Sequence, residues 1–204
     1  MKNTFYLILI VIFFSCNQTK GDLENSIFTV DEKLIAMNIL QEFDNALIVE
    51  TGEENIEDAY LSYSNRLQES NSITDFFNNQ KLNKEQCLKI IDKYKKTNFF
   101  KEVWTINYGY SRSDMKDTVA VFLDINPLGK YLNYLGELSV DKPILKKYII
   151  AIKECNCIPP SIIAGFPNII DEFDLNKKNE RLIIAIHYLT ILSVKQKKQA
   201  VNKQ

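Results

Sequence analysis

Leu182-Ile183-Ile184-Ala185-Ile186-His187-Tyr188-Leu189-Thr190-Ile191-Leu192 decides how the rest of the chain is read. A helix over residues 178–197 would carry this stretch apolar almost all round, and such a helix must be covered on every side. It is therefore expected at the centre of the fold, with the other elements wrapped about it. A mainly α, single-domain bundle of about six to eight helices follows.

Working outward, helical periodicity recurs in several places. Over residues 31–50, Leu34, Met37, Ile39, Leu40, Phe43, Leu47 and Ile48 return mostly at three- and four-residue steps. Asp31 can cap that helix, and Gly52 can close it in the left-handed region. Residues 56–69 form a second helix with Ala59, Tyr60, Tyr63 and Leu67 inward, and residues 72–79 a short third piece. Asn83 caps a helix reaching residue 95, with Gln86 placed for a capping box. Residues 128–138 and 141–154 continue the pattern, with Pro143 in a first turn where its missing donor does no harm. A short apolar segment, 161–170, is broken by Gly165 and Pro167, and residues 174–176 read as a turn.

One region reads two ways. Trp104, Ile106, Tyr108 and Tyr110 alternate, as do Val119, Val121, Leu123 and Ile125, which describes a β-hairpin near residues 102–125. Met115, Val119 and Phe122 also fit a helix opened by Ser113 or Asp114. β-Branched content supports the hairpin and the surrounding helices support the alternative.

The amino terminus carries an address. Lys2 precedes an unbroken apolar run, residues 5–14, closed by Ser15 and Cys16. A positive start, a short apolar run and a small residue at the cut define an export signal, whereas a membrane-spanning helix needs about 20 apolar residues. Phe13 is a poor −3 residue for ordinary cleavage. A small residue directly before cysteine resembles the lipobox of bacterial lipoproteins, although Phe13 and Phe14 stand where that family usually has leucine and alanine or serine. The resemblance covers residues 1–16. It implies removal of residues 1–15, a diacylglycerol on the Cys16 thiol, and an acylated new amino terminus. Asn17, where aspartate would favour the inner membrane, leans towards the outer membrane. Residues 16–28 then form a lipidated, polar tether, and residues 29–204 the helical domain.

Composition narrows function mainly by exclusion. The chain has 204 residues, 46% hydrophobic and 11% aromatic, as a globular protein requires. Lysine and arginine number 25 against 26 acids, a near-neutral balance that does not point to nucleic acid as a partner. Lys195, Lys197, Lys198 and Lys203 read as a solvated helix end. Six glycines and no glycine-rich phosphate loop disfavour nucleotide chemistry, and nothing implies a cofactor.

Candidate sites are few. After lipidation Cys87, Cys155 and Cys157 remain, allowing at most one internal disulfide. Cys87 shares a stripe with Ile90, Ile91 and Tyr94, and Cys155 one with Leu145, Tyr148, Ile149 and Ile152, so both are expected inward. A Cys87–Cys155 or Cys87–Cys157 bridge, or buried free thiols, would satisfy this. Cys155-Asn156-Cys157 could ligate a soft metal, but no second pair exists and no metal site is assigned. Asp171, Glu172 and Asp174 lack the glycine and distal glutamate of an EF-hand and read as a solvated loop. His187, the single histidine, reads as a core residue with one hydrogen bond. Trp104, Tyr108 and Tyr110 are the candidate partner contact, since such side chains join an apolar face to a polar tip; packing in the core competes with that role.

The resulting expectation is a lipid-anchored envelope protein acting as a binding or scaffold module for another protein. An immunity-type protector against an envelope-delivered toxin is one alternative. An enzyme with a dispersed site drawing on Asp171, Glu172 or His187 is another.

Overall fold

The computed structural model describes residues 23, 26–69, 75, 82, 84–111, 118–140, 142–193 and 195–198. The expected signal segment, Cys16, the helix expected over 72–79, the expected Asn83 and Asp141 caps and the hairpin tip all have residues outside that set. Among the described residues eight α-helices and a small antiparallel sheet make a mainly α fold.

α1 (Val30–Thr51) begins one residue earlier than its apolar pattern suggests, because Thr29 rather than Asp31 is the cap. Thr29 accepts from the Glu32 N–H and Glu32 reaches back to the Thr29 N–H at 2.8 Å, a capping box that satisfies two end donors at once. Gly52, at φ 76°, closes the helix as expected. α2 (Ile56–Gln68), capped by Asn55, lies against α1. α3 (Lys84–Tyr94) follows with Cys87, Ile90, Ile91 and Tyr94 buried.

A short helix, α4 (Asn98–Val103), was not anticipated. Thr97 caps it, and it buries the adjacent Phe99 and Phe100 beside Trp104. α5 (Lys130–Leu138) starts at Gly129, where a Cβ would collide with the Glu102 carbonyl oxygen. α6 (Pro143–Cys155) carries proline in its first turn, α7 (Pro160–Gly165) is short, and a 3-10 helix (Phe166–Glu172) continues from it.

α8 (Lys178–Leu192) is the centre. Residues 179–192 are all buried, against α1, α3 and the sheet. It stops earlier than its composition suggests. Ser193 leaves helical geometry (φ −86°, ψ 46°), and β3 (Lys195–Lys198) pairs with β2, so the basic run is an edge strand and not a frayed helix end. Pairing satisfies backbone groups on one side of β2.

The ambiguous region is the hairpin. β1 (Trp104–Ser111) and β2 (Thr118–Ile125) pair with Trp104 opposite Ile125 and Tyr108 opposite Val121, in the sheet order β1-β2-β3. The alternative helix opened by Ser113 or Asp114 is therefore excluded from residues 118 onward.

The buried apolar residues form a single cluster that reaches back to Leu23 and Phe28. Phe28 packs on Phe99 and Tyr134 with ring centres 5.2 and 5.6 Å away. The domain thus begins inside the segment read as tether, because large apolar side chains there find room on the core.

Candidate functional site

The hairpin is built to have two different ends. One face of β1 carries Trp104, Ile106 and Tyr108 in succession, since alternate residues share a face. Trp104 is buried, its Nε1 donating to Thr190 Oγ1 on α8 at 2.8 Å. Ile106 is 44% exposed and Tyr108 66%. The strand therefore leaves the core as it runs, and the three expected partner residues separate: Trp104 is structural, Tyr108 is free at the surface, and the Tyr110 side chain lies outside the described residues.

Between this face and α3 lies a cleft of about 190 Å³. Leu88 and Ile91 form its helical wall, Val121 and Leu123 the sheet wall, with Ile106 and Tyr108 at the edge. Asp92 and Lys95 stand at the rim, paired at 3.1 Å. The cleft is thus apolar within and close to neutral at its mouth.

The opposite face of the hairpin is closed at its base. Asp124 is buried and accepts from Asn107 Nδ2 at 2.7 Å. Burial lifts its carboxyl above the usual range, against hydrogen bonds from Asn107 and from the Ile158 N–H that hold it ionised. This brings the loop after α6, with Cys157, against the sheet.

A second, polar cleft runs between α1 and α8, lined by Asn38, Gln41, Asn45 and Lys178. Its floor is a buried network. Arg181 Nε and Nη2 lie 3.3 Å from Asp44 Oδ2, Arg181 Nη1 donates to the Leu175 carbonyl at 2.6 Å, and Tyr60 donates to Asp44 Oδ1 at 2.8 Å. Burial raises the Asp44 carboxyl despite these partners. Both charges are consumed in binding one another, so the network joins α1, α2 and α8 and offers no free acid or base.

Charge also joins other elements. Glu32 takes Lys130 Nζ at 2.8 and 2.9 Å; although burial acts to raise it, the bonds from Lys130 and Thr29 leave its carboxyl below the usual range. Lys142 reaches Glu180 at 2.6 Å, and Glu180 caps the Asp174 N–H at 2.7 Å.

His187 is sealed in the core. Its ring stacks on Phe166 with centres 3.7 Å apart, and Nδ1 lies 3.1 Å from the Tyr148 hydroxyl, the single hydrogen bond expected of it. Burial lowers its pKa to about 3, so it is neutral across the physiological range. Asp171 and Glu172 are exposed, and Asp174 caps a turn by accepting from the Asn176 N–H at 3.2 Å. These carboxylates and the buried imidazole do not converge. Among the described residues no group of three histidine, cysteine or acidic side chains is arranged to hold a metal.

Cys87 is buried as expected, and burial pushes its thiol up to about 12. Cys155 is not inward: it is exposed at the last residue of α6, while Cys157 is half-buried. At 100° per residue Cys155 falls about 70° from the centre of the stripe formed by Leu145, Tyr148, Ile149 and Ile152, and the helix ends there without a neighbour to cover it. All three thiols are free.

No protein-family model, curated protein or solved structure matches the chain. The fold and clefts define a class only: a mainly α domain with an apolar cleft beside an outward-running hairpin.

Proposed function

We propose that this is an envelope lipoprotein, held by lipid on Cys16 with the outer membrane favoured, whose hairpin cleft receives an apolar segment of a partner protein. The observation that carries the reading is the exposure of Tyr108 and Ile106 on the edge of an apolar cleft, on a strand whose other end is locked into the core. Apolar surface left in water gains roughly 25 cal/mol per Å² when a partner covers it. Aromatic side chains beside a pocket are the usual anchors of such contacts. β1 is also the outer strand of its sheet, so its backbone can extend the pairing to an incoming segment. The neutral rim fits a partner that is apolar at its centre and mixed in charge around it. A partner that proved to be a toxin would make the role that of an immunity protein.

Two experiments test this. Replacing Cys16 with alanine should abolish acyl incorporation and release the protein from membranes; unchanged labelling and retention would defeat the anchor. A photoreactive residue at position 108 of the anchored protein should capture one dominant partner in intact cells, and the same residue at Asp58 on α2 should not. Equal capture at the two positions, or none at 108, would defeat the cleft as the binding site.

A further inference from the structure

The loop that ends α6 places two thiols together. Asn156 follows Cys155 in the left-handed region (φ 52°, ψ 26°), the one non-glycine residue with positive φ among those described. The separation of the Cα atoms flanking a residue depends on that residue's φ and ψ, because the peptide units are planar. A left-handed residue mirrors a helical one, and helix dimensions put residues i and i+2 about 5.5 Å apart. Disulfides span Cα separations of about 4.4–6.8 Å. An extended Asn156 would separate the pair by about 6.5–7 Å and send their side chains to opposite faces. The turn that stops the helix is therefore also the turn that brings Cys155 and Cys157 within bridging reach.

We propose that Cys155 and Cys157 are a dithiol pair that a disulfide-bearing oxidant converts to an intramolecular disulfide closed over Asn156. Exposure sets the order of events. The Cys155 thiolate attacks one sulfur of the donor disulfide; a new S–S bond forms, the old one breaks, and the departing thiolate takes up a proton. Cys157 then loses its proton and attacks the Cys155 sulfur, expelling the donor's second half as a thiol. Two protein thiols are oxidised by two electrons, and one donor disulfide is reduced to two thiols. Cys157 is the second to react because it is half-buried. Desolvation, the neighbouring Asp124 carboxylate and its bond to Cys155 all raise its thiol pKa. Cys87 does not compete, being fully buried on the inner face of α3. A ring closed over a single residue is a labile one, suited to exchange rather than to stabilising the fold.

The full-length protein in detergent, equilibrated with oxidised glutathione, quenched in acid, alkylated in denaturant and digested with trypsin, tests this. The peptide 154–177 contains Cys155 and Cys157 and excludes Cys87. It should appear two hydrogens lighter, with neither alkyl group nor glutathione. Cys157→Ser should trap one glutathione on Cys155, and Cys155→Ser should react at least about tenfold more slowly. Both cysteines alkylated, glutathione on each, or either cysteine bridged to Cys87 in the wild type would overturn the proposal. Equal rates in the two variants would overturn the order of attack.

Discussion

α8 and β1 are both rich in large apolar residues, yet they use them differently. In α8 every residue from 179 to 192 is buried, including Arg181, His187 and Thr190, which bond to Asp44, Tyr148 and the Ile186 carbonyl, with only His187 Nε2 among their buried side-chain polar atoms left unpaired. In β1 burial ends after Trp104, and Ile106 and Tyr108 face outward. Residues enclosed on all sides serve stability. Residues that begin in the core and end in solvent serve as a rigid presentation of surface. Thr190 connects the two, accepting from Trp104 while donating to its own helix.

The widest separation should appear on truncation. Ile184→Ala, at a position with no exposure, should cost about 2–5 kcal/mol, while Ile106→Ala should cost under about 1 kcal/mol, both read from urea midpoints. Similar losses at the two sites would erase the contrast.

A pH titration sharpens it next. His187 is neutral in the folded core with a pKa of about 3, against 6.5 when unfolded. The unfolded chain therefore binds the extra proton first, and stability falls as pH drops from 6.5 towards 3. Each unit in that window costs about 1.4 kcal/mol, or roughly 3 kcal/mol at pH 4.5. In His187→Phe the slope in this window should flatten; an unchanged slope would place the acid sensitivity elsewhere.

The link between the regions should be smaller. A double-mutant cycle of Trp104→Phe and Thr190→Val is expected to show coupling of about 0.5–1.5 kcal/mol. Additivity would mean that the hairpin is held by apolar packing alone. Smallest of all, Tyr108→Ser should move stability by no more than about 0.5 kcal/mol.

α8 was legible because an uninterrupted apolar stretch has only one way to be a helix in water. Gly52 and Pro143 announced a helix end and a helix start for equally local reasons. The hairpin was undecided because alternation and helical spacing coexist there, and the deciding contacts, Trp104 with Thr190 and β2 with β3, are distant in sequence. Lys195–Lys198 was misread for the same reason: its residues suit a helix, and only the open side of β2 makes them a strand. Cys155 failed on geometry, since a stripe defines a helix face without saying where the neighbour ends. Of the candidate site, Tyr108 was visible as an aromatic on an alternating stretch. The cleft beside it needed α3, and the Asp44–Arg181 pair needed residues 137 apart in sequence, which no local pattern contains.

The most direct test combines two readouts on Tyr108→Ser in the full-length protein: partner retention after crosslinking in cells, and the urea midpoint of the same purified variant. Retention reduced at least about tenfold with an unmoved midpoint is the predicted result, since a surface anchor contributes to binding and little to folding. Retention unchanged, or lost only together with stability, would contradict the assignment of this cleft as the docking surface.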